Sequence, residues 1–302
     1  MIYLENYVRV IPMKIKVILL AAIMAFALLS GCSKTEYAQV AATTLPVYQF
    51  ATALCQGTDI TVARLVTESV SCLHDYSLNV SQVRSLESAQ LVIISGAGLE
   101  GFMEDLLDGA DNVIDSSVGI DLLSCQDEHD EHAGHHHEAD SHIWLAPANA
   151  KIMASNICDG LCAQFPQQAE TIRANLIELH QQLNALQAYG ETQLQTLASR
   201  DLLTFHDGFA YFAQAFDLTI LEAIEEESGS EASAQELIHL IDLVESHRLP
   251  AIFTESNGSA SAAAVIARET GISTFALDMA MAGEDYFEAM YHNIDIIREA
   301  LG

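Results

Sequence analysis

The sequence predicts an α/β protein of two similar lobes, each a parallel four-stranded sheet flanked by helices, with one long rigid helix joining them. Three observations carry that expectation. Short apolar runs alternate with helical patterns, the signature of α/β units around a parallel sheet. The runs fall into two sets of four, at residues 40–44, 60–66, 91–95 and 112–115, and again at 202–205, 218–223, 251–254 and 273–277. Between the sets, a helical pattern over about 168–200 carries Ile172, Leu176, Leu179, Leu183 and Leu186 at alternating spacings of four and three. That is one apolar stripe along a helix.

The N-terminus reads as an export signal. Lys14 and Lys16 precede an apolar run over residues 17–29, which closes on Leu29-Ser30-Gly31-Cys32. The run matches the apolar region of a signal peptide and is short for a membrane span. Small residues ahead of a cysteine resemble a bacterial lipoprotein cleavage box, so Cys32 is expected to become a lipidated N-terminus. Met13 is a candidate start, and a plain N-terminal anchor is the alternative reading. The expected organisation is a leader over 1–31, a lipid-anchored tether over 32–38, a first α/β lobe over 39–166, a connecting helix over 167–200 and a second α/β lobe over 201–302. The connecting stripe is short for a coiled coil, and Gly190 follows it; a stiff helix packed along both lobes fits better and limits hinge motion. In the second lobe, Ser233-Ala234-Gln235-Glu236 is a capping box that opens a helix running to about Ser246.

Charge narrows the function. The 302 residues carry 12 Lys+Arg against 42 Asp+Glu, a net −30; without residues 1–31, which hold Arg9, Lys14, Lys16 and Glu5, it is −32. Nucleic-acid binding needs basic surface and is excluded. The acidity favours cations near the surface without making a specific site. Beyond Cys32, the cysteines are Cys55, Cys72, Cys125, Cys158 and Cys162, an odd set in which at least one has no partner within the chain. Cys55 and Cys72 bracket a strand and are candidates for a disulfide. Cys158 and Cys162, four apart on one helix, read as small core residues, with a ligand pair as the alternative.

Histidine carries the chemical signal. His129, His132, His135, His136 and His137 lie within the segment 126–141, which has no apolar periodicity and reads as a surface loop with affinity for transition metals. It is too irregular for a fixed cage; a solvated loop without a role is the alternative. His180, His239, His247 and His292 fall in helical patterns and read as surface or hydrogen-bonded residues. Three histidines stand apart: His74 in Cys72-Leu73-His74-Asp75-Tyr76, His142 in Asp140-Ser141-His142-Ile143-Trp144, and His206 directly after Leu202-Leu203-Thr204-Phe205. Asp278 ends the run 273–277. Ligands of α/β sheets bind beyond the carboxyl ends of strands, so two candidates per lobe place a metal in the cleft between lobes.

In these motifs the chain resembles the zinc/manganese solute-binding lipoproteins of bacterial ABC importers, over essentially the whole stretch from Thr43-Thr44-Leu45-Pro46 to the C-terminal helix. His74 matches a family Pro-His-Asp-Tyr motif, with Leu73 in place of proline. His142 matches Asp-Pro-His-x-Trp-Leu-Asp-Pro, with Ser141 and Ala146 as departures. His206-Asp207-Gly208-Phe209 is similar to the third motif. Asp278 matches the fourth, which here reads Leu277-Asp278-Met279-Ala280-Met281-Ala282-Gly283 and lacks the family's proline. The resemblance implies His74, His142, His206 and Asp278 as metal ligands, with His129, His132, His135, His136 and His137 as accessory capture residues. It also implies the metal-binding class of solute-binding fold, a monomer anchored to the cell membrane by lipid on Cys32, and partners in a permease and its ATPase. Three imidazoles and one carboxylate suit tetrahedral Zn²⁺, while Mn²⁺ prefers a harder shell. A Mn²⁺ or Fe²⁺ carrier on the same fold and a surface adhesin are the alternatives. A zinc hydrolase is disfavoured, since four protein ligands leave no position for water; Asp207 and Glu255 read as structural carboxylates. Neutral imidazole is required, so zinc affinity should fall as pH drops through about 6.5.

Overall fold

A computed structural model of the chain describes residues 37–68, 73, 76–124, 139–225, 232–256, 261–281 and 283–302, with His206 and Glu225 described in backbone only. The expected leader and Cys32, together with Cys72, His74, Cys125 and the five loop histidines, lie outside the described residues.

All eight expected runs are strands. β1 (Val40–Ala42), β2 (Val62–Arg64), β3 (Leu91–Ile94) and β4 (Val113–Asp115) form one sheet; β5 (Asp201–His206), β6 (Thr219–Glu225), β7 (Ala251–Glu255) and β8 (Ser273–Leu277) form the other. Every pairing is parallel. The strand orders are β2-β1-β3-β4 and β6-β5-β7-β8, the same topology twice. Each sheet therefore reverses direction of winding beside its first strand, the place where open α/β sheets leave a crevice beyond their carboxyl ends.

The helices that matter here are α1 (Leu45–Leu54), α2 (Val80–Ser88), α3 (Glu104–Leu107), α4 (Pro147–Gln164), α5 (Ala169–Gln193), α6 (Ala210–Ala215), α7 (Ala234–His247), α8 (Ser261–Thr270) and α9 (Tyr286–Leu301). Proline in the first turn starts α1 and α4, where a missing N–H costs nothing. The predicted Ser233–Glu236 capping box opens α7. A second box, Asn79 with Gln82, opens α2.

Strand side chains alternate between two environments, as the pleat requires. Val40, Ala42, Leu91 and Ile93 of the first sheet share one buried core with Leu202, Ala251, Phe253 and Leu277 of the second. Ala41 and Val92 face a smaller cluster with Leu65, Leu86 and Met103. Leu203, Phe205 and Ile252 face another with Leu240, Val244 and Ile266. Residues Ala38–Gly302 accordingly form one compact unit.

Helix α5 runs through the shared core. Ile172, Leu179, Leu183 and Leu186 are fully buried in it, with Leu176 packed at its edge. Asn175 Nδ2 donates to the carbonyls of Leu54 and Gln56, both at 2.8 Å, on the first lobe. Tyr189 hydroxyl donates to Asp295 Oδ1 at 2.8 Å on the second. Each buried aliphatic side chain is worth about 1.5–3 kcal/mol relative to exposure, against roughly 1 kcal/mol net for a hydrogen bond, so the apolar stripe dominates. The helix is shorter than its sequence pattern suggests. It stops at Gln193 because Arg200 folds back, its Nη2 donating to the Leu194 carbonyl at 2.9 Å and its Nη1 to the Asp217 carbonyl at 2.8 Å. Gly190 is not a break. It sits inside the helix where a Cβ would stand 2.2 Å from Phe216 Cε1, so its bare backbone admits the Phe216 ring.

Cys158 and Cys162 are core residues, with sulfurs 4.0 Å apart on the buried face of α4. Burial pushes the Cys158 thiol up to about 12, with the Cys162 thiol beside it adding to the shift. Burial alone pushes Cys55 up to about 12. Both thiols stay protonated at neutral pH in the metal-free chain. His180 Nε2 lies 3.1 Å from the Lys151 carbonyl, and His239 Nε2 lies 2.9 Å from Glu222 Oε2, so both are hydrogen-bonded as expected.

One buried acid stands at the carboxyl ends of β1 and β3. Glu100 accepts from Thr43 hydroxyl at 2.6 Å, Ser95 N–H at 2.7 Å and Gly96 N–H at 3.0 Å. Burial outweighs those bonds and, with Asp115 nearby, holds its carboxyl up at about 7.

Gly190→Ala gains helix propensity but must displace the Phe216 ring, and should destabilise the protein by about 1–3 kcal/mol, read from the urea unfolding midpoint. Glu100 holds a proton in the folded chain between pH 4.5 and 7 that the unfolded chain has released. Its contribution is therefore favourable at the acid end, falls as pH rises through that window and levels off above 7. Unfolding free energies at pH 5 and pH 8 should differ less in Glu100→Gln than in the wild-type protein, by on the order of 2–3 kcal/mol; equal slopes would refute the assignment.

Candidate metal centre

The parallel sheets bring the carboxyl ends of β5, β7 and β8 to one edge. His206 is the last residue of β5, and Asp278 follows the last residue of β8. Glu255 ends β7, in register with Leu277. Thr204 pairs with Phe253, which puts Glu255 level with His206. Glu255 is buried at this edge. From sequence alone it has the marks of a structural carboxylate only.

His142 comes to the same edge from the first half of the chain. It caps a single 3-10 turn, Ile143–Leu145, and its side chain is buried. Its Nδ1 and its backbone N–H both lie 2.8 Å from Asp140 Oδ1. A carboxylate there holds the proton on Nδ1 and makes Nε2 the nitrogen suited to a metal. Asp140 is itself buried, and Tyr211 hydroxyl donates to its carbonyl at 3.0 Å. The same hydroxyl accepts from Leu123 N–H at 2.9 Å. The single tryptophan locks the two halves together: Trp144 Nε1 donates to the Met279 carbonyl at 2.7 Å, one residue past Asp278. Tyr286 hydroxyl donates to the Trp144 carbonyl at 2.8 Å.

Asp278 is half-buried. Its Oδ1 accepts from Ala280 N–H at 2.7 Å, and Ala280 turns the chain at φ +54°. The loop it begins is tied to the first lobe twice more. Arg64 Nη1 donates to the Gly283 carbonyl at 2.8 Å, and Gln49 Nε2 donates to the Glu284 carbonyl at 2.9 Å.

The structure thus brings the His142 and Asp278 segments together and places the His206 backbone at the same sheet edge. Among the described residues no three His, Cys, Asp or Glu side chains gather as a ligand set; His74 and the His206 ring lie outside that description. Sequence reasoning missed Asp140 as the partner of His142, although the Asp-x-His spacing was the available signal.

The sequence model of the family described as "Zinc-uptake complex component A periplasmic" matches residues 40–300, which is both lobes in full. The chain belongs to this family. Its relatives include the zinc-binding lipoprotein AdcA of Streptococcus pneumoniae serotype 4, 28% identical over 306 positions that cover 94% of this chain and 60% of AdcA. The chain therefore spans about 60% of the length of that curated relative. A putative metal-binding protein of Treponema pallidum is 27% identical over 262 positions, covering 82% of this chain and 83% of its own. Among solved structures, ZnuA superposes with a TM-score of 0.75 at 29% identity, over 88% of this chain and 100% of that one. The periplasmic zinc binding protein TroA of Treponema pallidum superposes with a TM-score of 0.77 at 25% identity, over 88% and 100%. The laminin-binding protein Lbp of Streptococcus pyogenes, at 21% identity and a TM-score of 0.74 over 89% and 100%, shares the fold alone. Membership of the zinc-uptake component family makes the expected two-lobed solute-binding architecture the observed one.

Within this family member the Asp140–His142 pair sets a test. With His142 as a zinc ligand, Asp140→Ala should weaken zinc binding about 10–100-fold, measured by competition with a chelator. Asp140→Asn keeps an oxygen facing Nδ1 and should lose less. Equal affinity in all three proteins would remove Asp140 from the site.

Proposed function

We propose that this protein captures Zn²⁺ outside the cytoplasm and delivers it to the permease of an ATP-driven importer. His74, His142, His206 and Asp278 are the proposed ligands. The observation that carries this reading is the convergence at one sheet edge of His142, oriented by a buried carboxylate, with the strand ends that bear His206 and Asp278. Three neutral imidazoles and one carboxylate match the ligand hardness and the four-coordinate geometry of Zn²⁺. The names of the relatives support the same metal: AdcA is a zinc-binding lipoprotein, and a ZnuA deletion variant, 28% identical to this chain, carries bound zinc.

The protein is a carrier in this reading and not an enzyme, because four protein ligands complete a tetrahedron and leave no place for a reacting water. Lipid on Cys32 would hold it beside the permease, and the permease's ATPase subunit would drive transport. It would act as a monomer. Among the described residues no helix is long and apolar enough to cross a membrane. The shared core opposes a wide opening of the lobes, so loading is a matter of loop adjustment and release requires the permease to disturb the seam. The histidines at 129, 132, 135, 136 and 137 would raise the local supply of zinc without forming the transported site.

Elemental analysis of the purified chain beginning after Cys32 should find one tightly held zinc per molecule. His206→Ala should weaken zinc binding by roughly 100-fold or more, about 2.7 kcal/mol. Deletion of residues 129–137 should weaken it only mildly. Wild-type affinity in His206→Ala would overturn the ligand set, and preferential retention of Mn²⁺ over Zn²⁺ in competition would overturn the choice of metal.

A further inference from the structure

Asn293 lies on α9 at a position that the helix otherwise gives to apolar side chains. Met290, Ile294 and Ile297 around it are fully buried in the shared core, and Asn293 itself is 0% exposed. A primary amide in such a place is costly unless its donors and acceptor are used. Its acceptor and one of its donors are used on a single residue. Asn293 Oδ1 accepts from Asp278 N–H at 2.8 Å, and Asn293 Nδ2 donates to the Asp278 carbonyl at 2.7 Å. Both backbone groups of Asp278 are thereby held by one short side chain with two rotatable bonds.

The carboxylate of Asp278 is constrained in turn. Its Oδ1 is engaged by Ala280 N–H at 2.7 Å, which restricts rotation of the carboxylate. Strand β8 ends at Leu277, one residue earlier, so the sheet ladder does not hold Asp278. Asn293 takes over where the ladder stops. Met279, the next residue, is fastened to Trp144 on the segment that carries His142. The Asn293 amide and the Trp144 indole therefore grip consecutive residues, one from α9 and one from the first half of the chain.

We propose that Asn293 is a positioning residue of the metal site, acting through Asp278: it preorganises the carboxylate so that little conformational freedom is lost when Zn²⁺ binds. This rests on Asp278 being a ligand, and the test separates the two claims. Zinc affinity is measured by chelator competition for the wild-type protein, Asp278→Ala, Asn293→Asp and the double variant, each shown to be folded by circular dichroism in its metal-free form. Asn293→Asp keeps the shape and the acceptor but sets an oxygen against the Asp278 carbonyl. Asn293→Ser, which shortens the side chain, supplies the same comparison if Asn293→Asp does not fold. The expected result is a loss of about 10–100-fold for Asn293→Asp, with the double variant binding no more weakly than Asp278→Ala alone. Such non-additivity marks action through Asp278, whereas a general loss of packing adds to it. Cobalt-loaded Asn293→Asp should shift its visible absorption in the direction that Asp278→Ala does. Wild-type affinity in folded Asn293 variants, or fully additive losses, would overturn the proposal. Unchanged affinity in Asp278→Ala would instead overturn the ligand assignment, and this inference with it.

Discussion

Both lobes bury their inner sheet faces in the same apolar core, and everything else about the molecule depends on that sharing. Val40, Ile93, Leu202 and Phe253 come from two different sheets yet belong to one continuous buried cluster, with the α5 stripe running through it. To part the lobes would expose this surface at about 25 cal/mol for each Å², which no small set of polar contacts could offset. A seam of this kind does not swing open like the interface between loosely tethered domains. It gives loops at the seam a fixed floor, so a ligand set drawn from both halves can be held within the tolerance a metal demands.

Polarity of the strands then decides where the chemistry goes. All eight strands are parallel to their neighbours, and the order within each sheet leaves its crevice at the carboxyl ends. The segment with His142 belongs by sequence to the first half, yet its anchors lie in the second: Tyr211 holds Asp140, and Trp144 reaches Met279. The loop after Asp278 is likewise fastened to Arg64 and Gln49 of the first half. These cross-connections are made mostly between side chains and backbone carbonyls. They fix the course of loops that have no sheet or helix to stabilise them.

Much of this was legible along the chain. The parallel strands are short apolar runs because both faces of each sheet are covered, and such runs stand out against the helical patterns between them. The Ser233–Glu236 box was readable because capping is local. The Asn79–Gln82 box has the same spacing and was passed over, since no strong apolar period follows it on so short a helix. The end of α5 falls at Gln193, short of the sequence pattern, where Arg200 folds back onto the Leu194 carbonyl and also reaches the Asp217 carbonyl, a tertiary contact that helical periodicity does not report. Gly190, which in the sequence only counts against a coiled coil, is a packing contact inside α5, its bare backbone admitting the Phe216 ring.

By itself the sequence determined the periodicities, and with them the two sets of strands, the connecting helix, the acidic surface and the set of imidazoles and carboxylates available to a metal. These are properties of neighbours along the chain, where spacing maps directly onto faces and strand ends. Only the tertiary structure decided that Asp140 orients His142, that Asn293 grips Asp278 and that Trp144 binds the two halves into one edge. Asn293 on a helix face and Glu100 under a sheet end are polar residues that no local rule distinguishes from surface ones. Their meaning comes from burial, which obliges each polar atom to find a partner, and that partner is known only once the chain has folded.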